Sequence, residues 1–212
     1  MLTGDIADWL PQFRTLEQRM AEAIEAAWPI CIGPLQAKKN TMTHEDHITN
    51  HLVDALIKTK KLPGRIVAQY KLLTTGADQL VSLSSSIDFV LTIGDDEDVY
   101  LACECKRLNV LYKSGLKGLV GEYVDEGLMR FVTSQYSNGL PLAMMLGYVM
   151  NARVDRARRG LGRAMKYRTA KIRLKSTADQ PIILGRPIRF STIHACKGGH
   201  DIEIAHTLLG WP

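Results

Sequence analysis

The 212-residue chain has only four cysteines, and Cys31, Cys103, Cys105 and Cys196 form no CxxC pair and no disulfide-like spacing. A disulfide-stapled secreted scaffold is thereby excluded, and reduced, buried thiols in a cytoplasmic protein are the expectation. Long apolar runs are also missing. The longest, over 141–150, falls well short of the roughly 20 residues that a bilayer-spanning helix needs, so no membrane partner is expected. The early Asp5, Asp8 and Trp9 do not make a signal-peptide pattern. There is no repeat, no low-complexity tract and no GxxxxGK(S/T) phosphate loop, so no motor motif is present in these residues.

What is present suits one compact domain. Hydrophobic residues make up 46% and charged residues 23%, enough apolar material for a sizeable core and against disorder. The formal charge of +5 is unevenly placed. Residues 153–175 carry ten basic side chains against the single Asp155, a local +9 that leaves the rest of the chain at −4. A basic block on a mildly acidic protein points to a polyanionic partner.

Periodicity orders the elements. Trp9, Phe13, Leu16, Met20, Ile24 and Ala27 fall near helical spacing, predicting a helix over 5–28 ended by Pro29, Gly33 and Pro34. These apolar residues are expected in the core or docked on a partner subunit. A second helix is expected to start after Thr43, with Asp46 as capping-box partner, and to run to about Lys58. Glu45 lies on its apolar stripe with Ile48, Leu52, Ala55 and Leu56, where a carboxylate needs either a first-turn dipole role or a site role. Strands are expected at 66–73, 86–93 and 99–107, with 94–98 as a hairpin loop. A helix over 116–136 and a strand over 141–150, apolar enough for burial on both faces, follow. A basic helix over 153–173, softened at Gly160 and Gly162, and two short strands at 188–194 and 202–207 complete the chain. The fold class is α/β: a mixed central sheet, with a three-strand antiparallel meander plus one parallel strand, flanked by helices.

The second hairpin carries the chemistry. With its loop centred on Asp96, Asp88 and Glu104 are equidistant from the centre and pair across the strands. Alternation puts Ile87, Phe89, Leu91, Val99, Leu101, Cys103 and Cys105 on one face, and Ser86, Asp88, Glu104 and Lys106 on the other. Two carboxylates this close must share a cation or a proton. Lys106 would neutralise one of them in a cross-strand ion-pair cluster. Alternatively, opposed carboxylates are hard-oxygen ligands suited to Mg²⁺, and the lysine would orient an attacking water or stabilise developing charge.

Ile87-Asp88, fifteen intervening residues and Glu104-Cys105-Lys106 resemble the PD-(D/E)xK signature of restriction-endonuclease-like nucleases, and the resemblance covers roughly 43–150. Ile87 stands where the motif has proline. The resemblance implies a restriction-endonuclease-like core and a metal-dependent nuclease with Mg²⁺ (or Mn²⁺) as cofactor. It implies that Asp88, Glu104 and the Cys105 backbone carbonyl are metal ligands, that Lys106 is the catalytic lysine, and that Glu45 completes or supports the metal site. Gln135 and Tyr136 resemble, at a different spacing, the glutamine and tyrosine that some members place after this strand. The domain reading is then a single nuclease domain over 1–212: a helical extension over 1–40, a catalytic core over 43–150, and a basic helix with C-terminal strands over 151–212.

Arg156, Arg158, Arg159, Arg163, Lys166 and Arg168 are the expected nucleic-acid contacts, with DNA favoured over RNA. These contacts would position the backbone without reading sequence. His194, Cys196, His200 and His206 have no standard structural-zinc spacing. Ser191, His194 and Lys197 would reach the scissile phosphate only if their strand lay beside the hairpin, a satisfied edge-strand histidine being the alternative. The competing functional readings are a catalytically silent binding or assembly module, and the nuclease subunit of an anti-phage or restriction-type system directed by a helicase or ATPase partner. Oligomeric state is left open.

Overall fold

The computed structural model describes residues 6–37, 44–75, 81–93 and 99–212. The order is α1 (Ile6–Ala37), α2 (Glu45–Thr59), β1 (Arg65–Thr75), β2 (Val81–Thr92), β3 (Tyr100–Leu108), a small hairpin of β4 (Val110–Tyr112) and β5 (Gly115–Lys117), then α3 (Val120–Glu122), a π-helical stretch (Tyr123–Leu128) and α4 (Met129–Val132) in immediate succession, then β6 (Leu142–Val149), α5 (Val154–Tyr167), β7 (Leu174–Asp179), β8 (Ile188–Ala195) and β9 (Asp201–Gly210). The fold is α/β, with one seven-stranded sheet in the order β1-β2-β3-β6-β9-β8-β7. The β3–β6 and β6–β9 pairs are parallel and the other ladders antiparallel.

The expected antiparallel meander and parallel return of β6 are present. A second parallel pair, β6–β9, was not foreseen, because β9 reads as a short tail strand while it runs to Gly210 alongside β6. Every residue of β6 is buried, as its unbroken apolar run requires for a central strand. α1 and α2 pack against each other and cover one face. Trp28 stacks on Tyr148 at 5.5 Å and donates from Nε1 to the Gly210 carbonyl at 2.9 Å, while Thr49 meets the Tyr148 hydroxyl. The π-helical stretch and α5 cover the other face.

Several boundaries move. α1 does not stop at Pro29 but continues through Pro29 and Pro34. An interior proline costs a helix roughly 3 kcal/mol. The buried Trp28, Cys31 and Leu35 each return about 1.5–3 kcal/mol against the sheet and α2, so packing overrides the breakers. Residues 110–117, expected to lead into a helix, form the β4–β5 hairpin instead, and the helix spans 120–132, short of Tyr136. α5 passes Gly160 and Gly162 without a break, because Ala157, Leu161, Ala164 and Met165 keep one buried stripe, and it ends at Tyr167 rather than Arg173. β7 went unpredicted, being exposed over most of its length with almost no apolar alternation. α2 begins at Glu45, and its N-cap residue His44 makes no side-chain capping bond among the described residues. The expected cap Thr43 and the 94–98 loop lie outside the described residues.

Candidate functional site

The β2–β3 register is the one that the hairpin centre implies. Phe89 pairs with Cys103, Val90 with Ala102, Leu91 with Leu101 and Thr92 with Tyr100. Asp88 and Glu104 follow one step beyond the last pair, where the strands part. There the Asp88 carboxylate takes the place of a backbone acceptor, and the Cys105 amide donates to its Oδ2 at 2.6 Å. On the other side of β2 the ladder also skips a step, between Ala68↔Phe89 and Tyr70↔Ile87, and Gln69 sits at a φ of 48°. A left-handed non-glycine residue in a strand is uncommon and costs on the order of 1 kcal/mol or more. The sheet is thus locally distorted on both sides of Asp88.

Three elements converge on Lys106. Its ammonium group lies 2.8 Å from Glu45 Oε1 and 3.0 Å from Glu104 Oε1, and donates to the Cys105 carbonyl at 2.9 Å. Glu45, at the start of α2, also accepts from the Arg107 amide through Oε2 at 2.9 Å. Glu45 therefore joins the cluster as the clamp on Lys106 and Arg107. Its stripe position on α2 brings it to the C-terminal end of β3 rather than into the core. The face bearing Glu104 and Lys106 is covered by the π-helical stretch at Gly127. A Cβ there would come within 2.6 Å of Met145 Cε and 3.3 Å of Lys106 Cγ. A methyl there would require Met145 Cε to swing aside and the lysine stem to give by a few tenths of an ångström.

Arg130, on α4, is the site residue that the sequence reading missed. Its guanidinium lies 2.9 Å from Glu104 Oε1 and donates to the Tyr136 hydroxyl. Tyr136 in turn donates to the Ser86 carbonyl. The available signal was one arginine inside the apolar stretch Leu128-Met129-Arg130-Phe131-Val132. Tyr136 thus enters the site through Arg130, whereas Gln135 is exposed and stands apart from it.

Three carboxylates (Glu45, Asp88, Glu104) face two cations (Lys106, Arg130), and the excess negative charge is held largely away from water. Burial, and then repulsion from Asp88, push the Glu104 carboxyl up to about 7 against Lys106 and Arg130, which pull it down. Burial raises Asp88 as well, offset in part by Lys106 and the Cys105 amide. Burial would lower Lys106, but Glu104 and Glu45 outweigh it and hold the ammonium above its ordinary range. Lys106 thus stays charged, while Glu104, buried beside Asp88, holds its proton to higher pH than an ordinary glutamate. Glu104 is fully buried, and its Oε2 has no hydrogen-bond partner among the described residues. A buried acceptor left without a donor costs about 1–3 kcal/mol, more when charged.

Among the described residues no three His, Cys, Asp or Glu side chains are grouped to hold a metal ion. A divalent ion here would rest on Asp88, the unsatisfied Glu104 Oε2 and the Cys105 carbonyl, completed by water and substrate oxygens. That is an all-oxygen set with two carboxylates, a composition that Mg²⁺ accepts. The Cys105 thiol is on the opposite face, accepting from the Tyr148 hydroxyl at 3.2 Å, and burial raises it far above its ordinary pKa. All four cysteines are buried and free, as expected.

His194 is not part of this cluster. β6 and β9 lie between its strand β8 and β3, and β8 is covered by β7, so it is not an edge strand. His194 donates from Nδ1 to the Ile172 carbonyl and shares a hydrogen bond between Nε2 and Thr192 Oγ1, both at 2.7 Å. Thr192 continues to His206, and His206 to the Tyr123 hydroxyl. Burial lowers both histidines, so this is a neutral polar chain inside the core. The zinc possibility at His194, Cys196, His200 and His206 gains no metal-ligand grouping among the described residues.

The six basic candidates divide. Arg158 is paired with Asp179 at 2.6 Å and lies 3.9 Å over the Phe190 ring, and Arg168 is paired with Asp125. Both brace α5 against its neighbours. Arg156, Arg159, Arg163 and Lys166 are exposed and make no ion pair among the described residues. Among the described residues no helix is long and apolar enough to cross a membrane. Neither protein-family models, nor curated proteins, nor solved structures give a match to this chain.

Proposed function

We propose that this chain is a metal-dependent nuclease, hydrolysing phosphodiester bonds of nucleic acid, DNA rather than RNA, on a restriction-endonuclease-like core. The observation that carries the reading is the buried Glu104 carboxylate, half-satisfied and close to neutrality beside Asp88, with a charged lysine two residues on. Asp88, Glu104 and the Cys105 carbonyl would hold Mg²⁺ or Mn²⁺. When bound, the ion supplies Lewis acidity at the phosphate and lowers the pKa of water. Lys106, freed from Glu104, keeps its proton and neutralises charge that develops on the phosphate oxygens. Glu45 sets its position through Nζ and the Arg107 amide. Arg130 is about a third exposed, so its guanidinium can turn from Glu104 to a phosphate oxygen. The exposed face of α5 holds the backbone. Lys106→Ala is expected to abolish cleavage with oligonucleotide affinity within about threefold of wild type. Undiminished cleavage by that variant would refute the role.

One observation favours a second reading. Lys106 and Arg130 already balance most of the carboxylate charge without any metal. A silent binding or assembly module would keep this cluster for stability alone. The two readings predict opposite effects of neutralising Glu104 on stability at pH 8.

A further inference from the structure

A second basic feature lies at the same end of the sheet. The first turns of α5 and the 180–187 loop between β7 and β8 flank an open cleft of about 400 Å³. Arg153, Arg156, Arg159 and Arg186 line it, against the single Asp155. Arg186 is engaged by Glu25 at 2.8 Å, whereas Arg153, Arg156 and Arg159 are exposed and make no ion pair among the described residues. The other side of the cleft is apolar and exposed. Ile182 is 71% exposed, Ile183 52% and Leu184 100%. Exposed aliphatic side chains beside unpaired arginines make a surface that a ligand with both an anionic and an apolar part would complement.

The sheet register fixes where this cleft lies relative to the acidic centre. Lys106 pairs with Gly147, Gly147 with Leu208, and Leu208 with Ile188, which lines the cleft. Lateral neighbours share a face, so Ile188 and Lys106 project to the same side, three strand spacings or about 14 Å apart. Asn109, three residues after Lys106, bonds Asn151 Oδ1 and the Arg153 carbonyl, tying the end of β3 to the start of α5.

We propose that the cleft binds a phosphate ester carrying a base, its phosphate on Arg153, Arg156 and Arg159 and its base against Ile182, Ile183 and Leu184. Its volume falls in the range of small-ligand sites. Guanidinium forks match phosphate oxygens in pairs, and aliphatic side chains cover a base face by apolar contact. The ligand is a nucleotide unit of the polymer held at the acidic centre, two or three units from the bond cut. A free nucleotide offers the same chemistry, and the test separates the two sources. The assignment to the polymer rests on the nuclease reading, while the phosphate chemistry of the cleft does not.

The test measures fluorescence anisotropy of a labelled dT12 strand, and ATP binding by calorimetry, with full-length protein and with Arg156→Ala/Arg159→Ala and Ile183→Ser/Leu184→Ser variants of unchanged melting temperature. For the polymer, the arginine variant weakens dT12 at least tenfold and lowers the salt slope by about 1.4, at roughly 0.7 per single-strand phosphate contact. The apolar variant weakens dT12 about tenfold, the scale of the lost apolar contact, with the slope unchanged. If ATP binding is lost in both variants while dT12 is unaffected, the cleft holds a free nucleotide, which supports the phosphate assignment and removes the polymer. If both variants bind dT12 and ATP as wild type does, or if wild type binds neither, the proposal is overturned. A wild type that binds through the cleft yet cuts nothing with Mg²⁺ or Mn²⁺ leaves the cleft standing and refutes the nuclease reading.

Discussion

Neutralising Glu104 should stabilise the fold, and the gain should appear only as pH rises. The ordinary value of this carboxyl is 4.5, and in the fold it is pushed up to about 7. The folded state therefore holds the proton longer than the unfolded chain. The favourable contribution is complete below about pH 4.5, is lost as pH rises, and is gone above 7. A shift of about 2.5 pH units at about 1.4 kcal/mol per unit is worth about 3 kcal/mol. Glu104→Gln keeps the shape and cannot ionise, so it should match wild type near pH 4.5 and exceed it by about 3 kcal/mol at pH 8. For a chain of this size that is about 6–12 °C in melting temperature. A buried ion-pair cluster kept for stability predicts the reverse, a loss of about 3–5 kcal/mol at pH 8 when Lys106 and Arg130 lose their partner. Urea unfolding of both proteins at pH 5, 6, 7 and 8 in EDTA decides between them. A pH-independent difference, or a variant weaker than wild type at pH 8, would refute the reasoning.

Mg²⁺ should compete with the proton on the same carboxylate. It should raise the wild-type melting temperature more at pH 8 than at pH 5.5, and should have no effect on Asp88→Asn, as read by thermal shift. Equal shifts in wild type and Asp88→Asn would remove Asp88 from the ligand set. Gly127→Ala adds a Cβ 2.6 Å from Met145 and 3.3 Å from Lys106. It should cost about 1–3 kcal/mol by overpacking and reduce cleavage at least tenfold through the displaced lysine, and normal activity would show that the helix yields without moving it.

The hairpin was legible because antiparallel register follows from symmetry about the turn. Asp88, Glu104 and Lys106 needed only counting. Glu45 was legible as a misfit, a carboxylate on an apolar stripe, although not as the clamp on Lys106 and Arg107 that it forms. Arg130 was missed because its role depends on where α4 crosses β3, which no local pattern encodes. The β4–β5 hairpin and β7 are short and largely exposed, so the alternation that marks a half-buried strand is absent from 110–117 and 174–179. Pro29 and Pro34 misled because local breaking signals are weaker than the burial of Trp28, Cys31 and Leu35. His194 shows the limit of a chemistry-bearing residue type alone: two strands separate it from the hairpin, and its bonds are satisfied within the core.

The most direct measurement is cleavage of supercoiled, linear, single-stranded and RNA substrates by wild type and Glu104→Ala, each with Mg²⁺, Mn²⁺ and EDTA. A metal-dependent nuclease centred on Asp88 and Glu104 predicts that wild type cuts DNA with either metal, and that EDTA or Glu104→Ala abolishes cutting at least a thousandfold. Cleavage that survives EDTA or Glu104→Ala, or a wild type that binds nucleic acid and cuts none of the four, would contradict it.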